Sequence, residues 1–102
     1  MAEPRDAVTV TITPRVRNVL LLADRIARRH DHDFVGTEHL LLAIIEDADG
    51  IAGQVLTALG AAIPARARTE GMISDASYVG APGPPAPASP PPLRLSVPVA
   101  AG

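Results

Sequence analysis

The sequence of 102 residues contains no cysteine, no tryptophan and no lysine, and its only aromatic residues besides histidine are Phe34 and Tyr78. Without cysteine the chain can form neither a disulfide nor a thiolate metal site, which fits a reducing compartment. All nine of its lysine-or-arginine positions are arginine, and the formal net charge is -2. Such a chain offers no broad cationic surface for nucleic acid and too few rings to stack bases. These absences argue against nucleic-acid binding.

Long hydrophobic runs are also missing. Residues 1–17 contain no apolar stretch of the kind found in signal peptides, and no run approaches the roughly 20 residues that span a bilayer. The sequence therefore predicts a soluble, cytoplasmic protein without membrane contact.

Proline is abundant but unevenly placed, since eight of the eleven prolines lie between residues 80 and 98. A segment so rich in proline, alanine and glycine is typical of an extended, mobile chain. We therefore predict an N-terminal arm over 1–12, a helical domain over 13–78 and a disordered tail over 79–102. A folding unit of roughly 65 residues is marginal on its own, which favours a partner or a second copy.

Periodicity and capping signals predict an all-α domain of about four helices. Thr13 followed by Pro14 starts a first helix that ends near His30. Thr37, as an N-cap, starts a second helix that ends near Asp47, and the apolar run 40–45 predicts that this helix is covered on all sides. A third helix follows the spacing from Ile51 to Gly60, and Pro64 at the first helical position opens a short fourth one that ends over 71–74.

The polar residues do not form a convincing catalytic or metal site. The histidines and neighbouring acids match no standard zinc spacing. The serines lie near or in the tail, so no nucleophile faces a histidine and an acid. We therefore predict no metal, no cofactor and no enzymatic activity. The residues concerned are His30, His32 and His39, with Asp31, Asp33 and Glu38, and the serines Ser74, Ser77, Ser89 and Ser96.

Two further groups of polar residues have simple interpretations. His39 is interpreted as a structural histidine that bonds to the preceding loop, and His32 is interpreted in the same way. The arginines of the first helix, Arg25, Arg28 and Arg29, form a solvated face, with a docking surface for an acidic partner as the alternative.

A family resemblance rests on several short motifs. Thr13-Pro14-Arg15, His32, the run Phe34-Val35-Gly36-Thr37-Glu38-His39-Leu40-Leu41-Leu42, Gly50-Ile51-Ala52, Val55-Leu56 and Leu59-Gly60 together resemble one Clp repeat. This repeat is the building block of the N-terminal domain of Clp-type AAA+ unfoldases such as ClpC and ClpA, and the resemblance covers residues 13–73. It implies a bundle equal to half of such a domain. The sequence has no phosphate-binding loop of the form G-x-x-x-x-G-K-[ST] for the ATPase activity of those unfoldases.

The resemblance also implies a ligand site. In ClpC-like domains the threonine and glutamate of this motif help to bind phosphorylated arginine, and the matching positions here are Thr37 and Glu38. Gly36, His39 and His32 belong to the same motif as structural residues. The alternative is that Thr37 only caps the helix and that Glu38 only interacts with its dipole.

The expected function is that of a stand-alone protein- or peptide-binding module, acting as adaptor, decoy or regulator in the Clp protease system. Its partner would be a Clp unfoldase, a substrate or an adaptor. The alternative is a structural or regulatory half-domain that only dimerises or docks on an unfoldase N-domain. Because Leu21 and Leu22 lie outside the main apolar stripe of the first helix, we predict a homodimer through the first two helices. An exposed patch kept for an unfoldase is the other possibility.

Overall fold

The computed structural model describes residues 8–78 and 93–99. These ranges contain four helices, α1 (Pro14–Arg29), α2 (Thr37–Glu46), α3 (Ile51–Ala58) and α4 (Ala62–Ile73), and no β-strand. The predicted all-α bundle is therefore confirmed. No helix in the described part of the chain is long and apolar enough to cross a membrane. Residues 8–13 and 93–99 have no regular secondary structure, and the remainder of the predicted arm and tail lies outside the described residues.

Helix α1 begins and ends through local backbone chemistry. The hydroxyl of Thr13 accepts a hydrogen bond of 3.2 Å from the N–H of Val16, and Pro14 occupies the first turn, as predicted. At the other end Asp31 has a left-handed backbone with φ of 61°. This lets the N–H of His32 donate back to the carbonyl of Ala27 at 2.9 Å, which completes a Schellman motif. The motif places His32 in the loop before α2.

Helix α3 ends in the same motif, but with glycine in the left-handed position. Gly60 has φ of 69°, and the N–H of Ala61 donates to the carbonyl of Leu56 at 2.8 Å. This is the glycine stop that the sequence predicts.

The start of α2 differs from the prediction. Gly36 is the N-cap, and Thr37 is the first helical residue with an exposed side chain. The prediction of Thr37 as N-cap was wrong because the capping interaction comes from the ring of His39, which accepts from the N–H of Gly36 at 2.8 Å. A histidine at the third helical position thus takes the role that glutamate or glutamine plays in a capping box. Glu38 lies in the first turn, as predicted.

The start of α4 also differs from the prediction, because the helix begins at Ala62 and places Pro64 third rather than first. The N–H groups of the first three helical residues have no partner within the helix, so proline is tolerated there as well.

The core lies between α1, α2 and α4. It consists of Ala23, Ile26, Leu42, Ala43 and Ile73, with Val19, Leu22, Leu40 and Tyr78 packed against it. Only one face of α2 is buried, while Leu41 and Ile44 are half-buried. The prediction that α2 is covered on all sides is therefore wrong, since one repeat supplies too few helices to surround it.

Ion pairs tie the exposed side of α1 to the end of α2. Arg15 contacts both carboxylate oxygens of Asp47, at 2.8 and 3.0 Å, and Arg29 contacts Glu46 at 3.1 Å. Arg28 pairs with Asp24 one turn away on α1. These pairs are exposed, and each contributes at most about 1 kcal/mol. The predicted solvated arginine face agrees with this arrangement.

Candidate functional site

The first turn of α2 is held by two histidines. His39 is completely buried, and both of its ring nitrogens have partners. Its Nδ1 accepts from the N–H of Gly36, so the neutral ring carries its proton on Nε2. That nitrogen lies 2.9 Å from Nδ1 of His32 and donates to it. The two structural histidines of the motif therefore contact each other directly.

The ring of His32 lies at the centre of an aromatic cluster. It stacks on Phe34 at a centroid distance of 5.1 Å and on Tyr78 at 5.0 Å. His39 meets His32 edge-on at 5.1 Å and Phe34 at 5.6 Å. The cluster joins the loop after α1, the start of α2 and the chain that follows α4. It thereby fixes the backbone on which Thr37 and Glu38 lie.

Glu38 is anchored by Tyr78, whose hydroxyl donates a hydrogen bond to Oε2 of the carboxylate. Partial burial on its own would raise the pKa of Glu38. The hydrogen bond from Tyr78, a backbone hydrogen bond and the nearby His39 and His32 outweigh it, so this pKa lies below its ordinary value. Burial, and then the hydrogen bond to the carboxylate, raise the pKa of Tyr78. At neutral pH the site therefore contains an ionised carboxylate and a protonated phenol.

These residues border an open cavity of about 700 Å³ between the start of α2 and the end of α4. Its wall is mainly apolar and includes Leu41, Met72 and Ile73. Among the described residues, the cavity is lined by Thr37, Glu38, Leu41, Thr69, Met72, Ile73, Asp75, Ser77 and Tyr78, of which Glu38 and Asp75 are acidic. This described part of the lining contains no basic residue. An apolar wall with ionised carboxylates suits a cationic side chain that carries apolar neighbours.

A tight turn after α4 forms one edge of the cavity. A carboxylate oxygen of Asp75 accepts from both the N–H and the hydroxyl of Ser77, each at 2.8 Å, and the N–H of Tyr78 donates to the carbonyl of Asp75 at 3.0 Å. The two hydrogen bonds from Ser77, first that from its N–H and then that from its hydroxyl, lower the pKa of Asp75. The turn also directs Tyr78 back toward α2. Ser77 is therefore bonded to a carboxylate rather than to a histidine.

The structure places Gly36, Thr37, Glu38 and His39 together at the start of α2, with His32 against His39. Tyr78, which bonds to Glu38 from 40 positions away in the chain, was not among the residues predicted for the site. The sequence marks Tyr78 only as the single tyrosine of the chain and as the last residue of the predicted helical domain.

Comparisons with known proteins agree with this architecture. The family model of the Clp repeat (R) N-terminal domain matches residues 11–91. The chain is 40% identical over 74 residues to the ATP-dependent Clp protease ATP-binding subunit ClpA homolog of Cyanidium caldarium, covering 72% of this chain and 9% of that protein. It is 42% identical over 64 residues to the chloroplastic chaperone protein ClpC of Pisum sativum, covering 63% of this chain and 7% of that protein.

A third relative, the chloroplastic chaperone protein ClpC1 of Oryza sativa subsp. japonica, is 44% identical over 55 residues, covering 54% of this chain and 6% of that protein. The chain thus spans less than a tenth of the length of these curated relatives. No solved structure matches it. Because the family model covers most of the sequence, including all four helices, the chain belongs to the Clp repeat (R) N-terminal domain family.

Proposed function

We propose that this chain is a protein- or peptide-binding module of the Clp protease system, acting as an adaptor, decoy or regulator, and that it recognises phosphorylated arginine. The observation that carries the proposal is the cavity beside the first turn of α2, where the carboxylate of Glu38 faces a mainly apolar wall. Membership of the Clp repeat family supports a place in the Clp system.

Glu38 is suited to bind the guanidinium group. Its lowered pKa keeps it ionised at neutral pH, and the hydrogen bond from Tyr78 fixes its orientation through Oε2. A guanidinium group meets a carboxylate through two parallel hydrogen bonds, so a fixed carboxylate selects arginine over lysine. The aliphatic part of the ligand side chain would then contact Leu41 and Met72.

The start of α2 is suited to bind the phosphoryl group. The N–H group of Thr37 belongs to the first turn, where N–H groups have no acceptor within the helix. The positive end of the helix dipole favours an anion there, and the exposed hydroxyl of Thr37 adds a donor. The rest of the cavity offers an apolar wall and the carboxylate of Asp75, so the phosphoryl group is expected at this edge rather than deeper inside.

Peptide binding by fluorescence anisotropy tests the proposal, with one labelled peptide carrying either phosphoarginine or arginine. Replacing Glu38 by glutamine keeps an acceptor for Tyr78 but removes the charge, so the affinity for both peptides should fall by about tenfold or more. Thr37→Ala should lower the affinity for the phosphorylated peptide only.

Glu46→Gln is the matched control, since Glu46 is an exposed glutamate at the opposite end of the same helix. It should leave binding unchanged. Unaltered binding by Glu38→Gln would mean that Glu38 only stabilises the helix start. If the wild-type chain bound the unphosphorylated peptide more tightly than the phosphorylated one, the phosphoryl part of the proposal would be refuted.

A second candidate is a regulatory half-domain that has no peptide ligand and acts only by pairing or docking. The exposed apolar side chains of α3 favour it. A chain that fails to bind either peptide but self-associates would support this candidate.

A further inference from the structure

Helix α3 presents an apolar row to the surface. Ile51, Val55 and the C-cap residue Leu59 are 79%, 50% and 74% exposed. Because they are four residues apart, they follow one another along a single ridge of the helix. A surface helix normally carries charged residues on its outer face, so an apolar outer face indicates a surface that binds a partner.

The absence of charge extends well beyond this row. Residues 50–65 contain no Asp, Glu, Lys or Arg, although a fifth of the whole chain is charged. At that frequency about three charged residues would be expected in such a stretch. The uncharged stretch includes all of α3 and the start of α4, where Ile63 is also exposed.

The opposite side of α3 already has its partner within the chain. Gly53 is the only buried residue of this helix, and a Cβ atom placed on it would lie 2.7 Å from the carbonyl oxygen of Asp47 and 2.9 Å from that of Ile44. Helix α3 therefore approaches the end of α2 backbone to backbone through a glycine. This contact fixes which side of α3 faces outward, and that side carries the exposed apolar row.

We propose that the row Ile51, Val55 and Leu59 is the surface on which two copies of this chain pair about a twofold axis. A surface without charge needs a partner that is also uncharged and apolar, and a second copy supplies one. Antiparallel packing of α3 on α3 would place Val55 on the axis, against Val55 of the second copy, and Ile51 against Leu59 of the second copy. Such a symmetric contact satisfies both copies with the same residues.

The size of the row predicts a weak dimer. With its flanking residues it would bury on the order of 1,000 Å² over both copies, which is the lower limit for a specific interface. The dimer predicted from the sequence had its interface on α1 and α2. In the structure Leu22 packs on the core and Leu21 is half-buried, so α3 offers the more exposed apolar surface. The cavity at the start of α2 lies at the opposite end of that helix and stays open in this arrangement.

Sedimentation velocity of the full chain tests the proposal. The mass should rise from 10.5 kDa toward twice that value between low micromolar and near-millimolar concentration. Val55→Glu would place two carboxylates together on the axis and should keep the chain monomeric, with an unchanged circular dichroism spectrum. Val16→Glu is the control, because Val16 is a partly exposed valine in the first turn of α1, where glutamate is well tolerated.

The lack of cysteine allows a second, positional test. With Val55→Cys the only thiol would lie on the axis, so mild oxidation should join two copies by a disulfide, while Val16→Cys should remain largely uncrosslinked. A strictly monomeric wild-type chain would overturn the proposal. A dimer that survives Val55→Glu would place the interface elsewhere and overturn it as well.

Discussion

Tyr78 donates a hydrogen bond to Glu38 and so connects the end of the helical domain to the first turn of α2. Both residues line the cavity, and the ring of Tyr78 also stacks on His32. One side chain after α4 thus closes the domain and orients the carboxylate that we propose as the ligand-binding group.

Tyr78→Phe should separate these two effects. Phenylalanine keeps the ring stacking but loses the hydroxyl, so unfolding free energy should fall by about 1 kcal/mol at neutral pH. The pKa of Glu38 should rise, since the hydrogen bond lowers it in the wild type. Because a lowered folded pKa stabilises the protein above the ordinary carboxyl pKa and is lost as pH falls through the folded pKa, the difference between variant and wild type should shrink in acid.

Urea denaturation at neutral and at strongly acidic pH measures both quantities. A difference in stability that is equally large at both pH values would show that the hydroxyl does not act through the charge of Glu38.

The two Schellman motifs offer a matched pair of substitutions. Asp31 holds a left-handed backbone that glycine adopts at lower energy, so Asp31→Gly should raise stability by about 0.5–1 kcal/mol. Gly60 already has the favoured residue there, and Gly60→Ala should lower stability by about 1 kcal/mol. Thermal unfolding of both variants checks this, and a destabilised Asp31→Gly would show that the aspartate side chain has a separate role.

The features of this fold that depend on local backbone chemistry were predicted from the sequence, and those that depend on tertiary packing were not. Thr13-Pro14 and Gly60 mark helix ends through short-range backbone chemistry, and the structure places those ends where the sequence does. The N-cap of α2 was misplaced because a buried histidine replaces the usual cap, and the burial of His39 depends on tertiary packing. The same reason applies to Tyr78, whose role follows only from the path of the chain after α4.

Two glycines in helices should respond to alanine in opposite ways. Gly53→Ala would drive Cβ to within 2.7 Å of a backbone carbonyl that cannot move without shifting α2 or α3, so a loss of about 1–3 kcal/mol is expected. Gly71 in α4 has nothing within 4 Å of the corresponding position, and Gly71→Ala should gain about 0.5–1 kcal/mol. Chemical denaturation of both variants provides the comparison. Similar effects at the two sites would refute the close contact at Gly53.

Protonation of His39 should destabilise the protein in mild acid. Burial lowers the pKa of His39, the nearby Glu38 opposes this, and His32 and His30 add to the lowering. A lowered folded pKa means that the unfolded chain binds the proton more tightly. The stabilisation is therefore complete above the ordinary histidine pKa of about 6.5 and is lost as pH falls below it, through the folded pKa.

The structural reason is that both ring nitrogens of His39 are in use. A proton on Nδ1 would remove the acceptor for the N–H of Gly36 and release the cap of α2. His39→Gln keeps a side chain able to accept from that N–H, as glutamine does in a capping box, but it cannot titrate. It should be less stable at neutral pH, because it loses the ring contacts with His32 and Phe34.

Its stability should, however, fall less steeply than that of the wild type below the ordinary histidine pKa. His30→Gln serves as the control, because it removes a half-buried histidine that stacks on His32 at 5.8 Å and leaves the cap intact. Denaturation curves across this pH range measure the two slopes. If His39→Gln retained the wild-type slope, the cap of α2 would not be the acid-sensitive part of the fold.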